Sequence, residues 1–139
     1  MLQTYYKNYN QFLPFGLILI FERQGSFNDM VLEAAKRYPQ LAALKCDTVR
    51  PNVMSFVYSP LDTNAIYLFA TDELRLDVLV HECFHITMRI FDAIGSEVNE
   101  HTEENFAYLN EMIFRDVYNA LEKKFKFTPS MSAKRPFAE

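Results

Sequence analysis

Residues 71–95, TDELRLDVLVHECFHITMRIFDAIG, carry a helical pattern with a polar group at its middle, His81-Glu82-Cys83-Phe84-His85. Thr71 is the predicted N-cap, with Asp72 and Glu73 in a first turn where acids complement the helix dipole. Gly95 predicts a stop after about Ile94. Leu76, Val78, Leu79, Val80, Phe84, Ile86, Met88, Ile90, Phe91 and Ile94 cover most of the circumference, the pattern of a helix central to the fold. His81, Glu82 and His85 inside such a helix need partners, because an unsatisfied polar group is costly to bury.

Histidines at i and i+4 stand one above the other on a single helix face. Two neutral imidazoles so placed can share one zinc ion, and the carboxylate between them can reach a water on that ion. Zinc lowers the pKa of such a water, and a carboxylate can take its proton. The motif therefore points to His81 and His85 as metal ligands and Glu82 as general base; the plainer reading is two core histidines satisfied by local hydrogen bonds. A catalytic zinc needs a third protein ligand. An extended motif would place Gly at position 88 and His at position 91, but Met88 and Phe91 stand there. Glu103 and Glu104 follow His85 by 18 and 19 positions (103 − 85 and 104 − 85), in the first turn of a predicted last helix. A short polar connection, Ser96 to His101, would lay that helix antiparallel to the motif helix. On a helical wheel Glu103 falls nearer the apolar stripe and Glu104 at its edge, which leaves both open. His101 is a further candidate, as a ligand or as a donor to a developing oxyanion.

Working outward, Thr102 is the predicted cap of the last helix, which runs to about Phe125 on a stripe of Phe106, Leu109, Ile113, Val117 and Leu121. Upstream, Val53–Tyr58 and Ala65–Ala70 are β-prone and are separated by turn residues 59–64, which predicts an antiparallel hairpin. Leu17–Phe21 reads as a buried strand. Ser26 or Asn28 caps a helix with Met30, Val31, Ala34, Ala35 and Tyr38 on its apolar side, and Pro39 interrupts it. Residues 1–11 read as an arm or edge element. The expected architecture is α+β, a small, largely antiparallel sheet packed on three main helices with the motif helix central. One domain spans 1–125, and 126–139 form an extended or disordered basic tail.

Composition narrows the function classes. The 139 residues include 13 Phe, 8 Tyr and no Trp, and the net charge of −4 argues against a nucleic-acid binder. The apolar run from Phe12 to Phe21 is broken by Pro14 and Gly16 and is too short to span a bilayer. Cys46 and Cys83 are the only cysteines, which fits a reducing cytoplasm better than a disulfide framework.

The pattern resembles gluzincin-type zincin metallopeptidases, and more narrowly the small metallopeptidase-like proteins of tailed bacteriophages and prophages. The resemblance rests on His81-Glu82-Cys83-Phe84-His85, the Gly-terminated helix, and Glu103-Glu104-Asn105-Phe106-Ala107-Tyr108-Leu109, and covers roughly residues 65–122. It implies a zincin-like fold, Zn2+, and a host-cytoplasmic or virion-associated setting. It maps the recurring acid before x-x-Ala-Tyr onto Glu104, with Glu103 as the alternative. Tyr108 is, on its own chemistry, a candidate hydrogen-bond donor to substrate or near the site, and a core aromatic is its plainer reading. The expected function is a zinc-dependent hydrolase acting on a peptide or protein substrate. The alternative is a phage structural or assembly protein that keeps the fold with a non-catalytic metal site and binds neighbouring phage structural proteins.

Overall fold

The computed structural model describes residues 2–9, 15–23, 26–45, 55–60 and 63–131. Cys46, the turn residues 61 and 62, the punctuation at Gln24-Gly25, the start of the Phe12–Phe21 run, and the tail from 132 with Lys134 and Arg135 lie outside them. The elements are β1 (Leu2–Asn8), β2 (Gly16–Glu22), α1 (Phe27–Arg37), a 3-10 segment (Pro39–Lys45), β3 (Ser55–Tyr58), β4 (Ala65–Thr71), α2 (Leu76–Ala93) and α3 (Glu103–Lys124). The class is α+β.

The four strands form one mixed sheet in the order β1-β2-β4-β3. The predicted hairpin forms, with Phe56 opposite Phe69, and the N-terminal arm is an edge strand antiparallel to β2. The central pair departs from the expected largely antiparallel sheet: β2 and β4 run parallel, Leu19 opposite Leu68. The cause lies in β2 itself. Its near-continuous apolar run suits an interior strand covered on both faces, the usual setting of parallel pairing. Leu17, Leu19 and Phe21 join Ile66, Leu68 and Ala70 in one core with α2 and α3. Ile20 joins Tyr67 and Phe69 in a second core with Met30, Val31, Ala34 and Ala35 of α1 and Leu41 of the 3-10 segment. The sheet is thus sandwiched between helices.

Ser26 caps α1, its hydroxyl accepting from the Asp29 N–H at 3.4 Å. Thr71 does not cap α2; it closes β4 and its hydroxyl accepts from the Glu73 N–H, so the helix begins after Arg75. At the other end Gly95 (φ +73°) stops α2 as predicted, with Ser96 N–H donating to the Phe91 carbonyl at 2.8 Å. A Cβ at Gly95 would meet no atom within 4 Å, so only its left-handed backbone resists substitution. Gly95→Ala is expected to cost about 1 kcal/mol in urea denaturation.

α2 is two-faced rather than buried all round. Leu79, Cys83, Ile86 and Ile90 are turned to the sheet, while Val80 and Phe84 remain 49% exposed. α3 follows its predicted stripe, with Phe106, Ile113, Val117 and Leu121 buried. The packed body continues past the expected boundary at residue 125. Phe127 packs against Phe21, Pro129 is buried, and the Ser130 carbonyl accepts from Leu76 N–H at 3.2 Å. Among the described residues no helix is long and apolar enough to cross a membrane.

Candidate functional site

The helical repeat that turns Leu79, Cys83, Ile86 and Ile90 inward puts His81 and His85 on the outer side of α2, both exposed. Their Nε2 atoms stand 3.1 Å apart, with ring centroids 4.7 Å apart and planes at 78°. An unshared pair of neutral imidazoles explains this approach if one ring donates its N–H to the other. It also fits a metal. Two nitrogens 3.1 Å apart, each about 2.0–2.1 Å from one ion, subtend an angle of about 100°, near the tetrahedral preference of zinc. Burial, then His81, then Arg89 hold the His85 pKa below its ordinary value. His85 is therefore neutral near pH 7, the form that a metal ligand must take.

Glu82 lies at the border between the outer side and the core. It is 7% exposed and makes no hydrogen bond or ion pair among the described residues. Burial pushes its carboxyl up to about 7. A carboxylate so placed exchanges a proton near neutral pH, as a general base requires. Cys83 faces the core. Burial, and secondarily the Glu82 charge, push its thiol up to about 12, so it stays a thiol and acts as a packing residue.

The proposed third ligands stand elsewhere. α3 is antiparallel to α2, as expected: the Thr87 hydroxyl lies 2.9 Å from Asn110 Oδ1, and the Phe106 ring meets both Phe84 and Phe91, each at 5.2 Å. Glu103 and Glu104 are both exposed. His101 is exposed with its Nε2 3.4 Å from Glu100, and Tyr108 is 65% exposed. Asp116, further along α3, already accepts from the Tyr9 hydroxyl. Among the described residues, no three His, Cys, Asp or Glu side chains converge as a metal-binding group. The structure brings His81 and His85 together with Glu82 next to them in the helix; among the described residues Glu103, Glu104 and His101 do not join them as a metal-binding group.

The chain matches no protein-family model, no curated protein and no solved structure.

One feature near this helix escaped the sequence reading. Arg89, one turn beyond His85, borders a cavity of about 270 Å³ lined largely by apolar side chains. The i, i+4 spacing of His85 and Arg89 was visible in the sequence, but the cavity depends on Phe15 and Ile66, which only the folded sheet brings near α2.

Proposed function

We propose that this protein is a zinc-dependent hydrolase acting on peptide bonds, with His81 and His85 as metal ligands and Glu82 as general base. The observation that carries the reading is the 3.1 Å approach of the two Nε2 atoms, beside the largely buried Glu82, which pairs with no other described side chain. Zinc held there would supply Lewis acidity to a water and to the scissile carbonyl. Glu82 would take the proton of the attacking water and return it to the leaving amine. Its burial suits both steps, since a carboxyl with a pKa near neutrality can accept and release a proton with little penalty. The exposure of both histidines leaves the site open to a substrate. A zincin-like fold, and a phage setting in the host cytoplasm or virion, belong to the same reading.

The third ligand in this proposal is Glu104, with Glu103 as the alternative, and either requires the first turn of α3 to draw toward His85 when an ion binds. Glu104→Gln is then expected to weaken zinc affinity by at least about 100-fold, more than the loss of a residue that only supports a ligand. A change confined to Glu103→Gln would hand the role to Glu103, and an unchanged affinity in both would remove the two acids from the site.

The functional test is incubation of the zinc-loaded protein with a mixed peptide library and detection of new termini by mass spectrometry. Cleavage stopped by a chelator and restored by zinc is expected. Bound zinc without cleavage would favour the second reading, an assembly protein with a non-catalytic metal site. The exposed Val80 and Phe84 beside the histidines are what favour that alternative, since exposed apolar side chains suit a docking face.

A further inference from the structure

The cavity at the C-terminal end of α2 combines three properties that bear on what it can hold. Phe15, Ile66 and Ile90 line it with apolar surface. Arg89 and Asp92 stand among its lining residues, and neither side chain forms an ion pair or hydrogen bond with another described residue. Ser59, also in the lining, has a buried hydroxyl with no hydrogen-bond partner among the described residues. The volume of about 270 Å³ is at the lower end for a ligand pocket, which suits a single side chain rather than a large molecule.

We infer that this cavity is a binding subsite for the C-terminal residue of a peptide, taking its apolar side chain inside and its free carboxylate on Arg89. The guanidinium offers a planar fork of donors matched to a carboxylate, and no acid among the described residues pairs with it. Asp92, another lining residue, offers an acceptor for the amide N–H of the bound residue. Arg89 follows His85 by one helical turn on the same side of α2, so the carboxylate anchor stands about 6 Å along the helix axis from the nearer histidine. This inference rests on the hydrolase reading for the role of the bound residue as part of a substrate, but the binding itself needs neither metal nor turnover.

The test is a titration of the full, metal-free, ¹⁵N-labelled chain with N-acetyl-leucine up to about 10 mM, a range that captures a weak single-residue ligand. Saturable shifts at the Ile66, Ile90 and Ala93 amides are expected. N-acetyl-leucinamide, which lacks the carboxylate, and N-acetylglycine, which lacks the side chain, should each bind about tenfold more weakly. Arg89→Gln should erase the preference for acid over amide. Ala93→Phe, at an exposed helix position on the cavity wall, should block binding of all three. Should that variant not fold, Arg89→Gln alone decides. Absence of saturable shifts, equal binding of acid and amide, or an unchanged preference in Arg89→Gln overturns the subsite. A protein that binds N-acetyl-leucine but cleaves nothing keeps the subsite and loses the hydrolase reading; one that cleaves peptides but ignores N-acetyl-leucine does the reverse.

Discussion

Glu82→Gln is expected to lower turnover by about 10²–10⁴-fold while leaving zinc affinity within a few-fold of the parent, because the variant keeps the shape of the side chain and loses only its ability to carry a proton. A residue that merely filled space would give no such split between kcat and metal binding. The same substitution has a signature in the metal-free protein. The folded chain retains the Glu82 proton up to about pH 7, whereas the unfolded chain releases it near 4.5. The folded state therefore binds more protons between those values, and this group's contribution to stability falls as pH rises through that window. Gln removes the fall. The variant should match the parent near pH 4 and exceed it by roughly 2 kcal/mol at pH 8, after allowance for partial solvation of the carboxylate. Urea denaturation at the two pH values measures this, and a variant that is less stable than the parent at pH 8 would show that the carboxylate has a stabilising partner.

Phe21→Ala is expected to be the most damaging single change to the fold. Phe21 is fully buried, stacks on Phe125 at 5.0 Å and meets Phe127 at 5.5 Å, with the Arg23 guanidinium 5.7 Å from its ring centre. Truncating a buried Phe costs about 3–5 kcal/mol, a large share of the 5–15 kcal/mol that holds a typical domain together. The consequence should travel to the candidate site. Phe125 and Phe127 hold the segment that ends at Ser130, and Ser130 accepts the Leu76 N–H at the start of α2. Release of that segment frees the first turn of the motif helix. We expect a lower urea midpoint together with faster amide exchange at Leu76; an unchanged midpoint would mean that the aromatic cluster contributes little.

Much of this fold was readable from local pattern. The run Leu17–Phe21 announced a buried strand, the turn-flanked segments before and after residues 59–64 announced a hairpin, and the 3.6-residue stripe from Phe106 to Leu121 announced α3. The parallel pairing of β2 with β4 was harder to read: the apolar run of β2 marks an interior strand, but its partner lies far along the chain and is set only when the sheet assembles. The two-faced character of α2 was hidden for a different reason. Val80 and Phe84 are apolar, and composition cannot tell an exposed Phe from a buried one. The histidine pair was legible because it depends only on helical spacing. The position of Glu103 and Glu104 was not, because it depends on the loop 94–102 and on how Phe106 seats against Phe84 and Phe91. Residues 126–131 carry charge and proline that suggest a loose tail, yet Phe127 and Pro129 dock them on the core.

Elemental analysis of the purified protein after dialysis against excess zinc addresses the metal centre directly. The parent chain should retain one equivalent of zinc, and the His81→Ala, His85→Ala double variant, folded by circular dichroism, should retain none. Zinc absent from the parent, or equal retention by parent and double variant, would show that the two stacked imidazoles do not hold an ion.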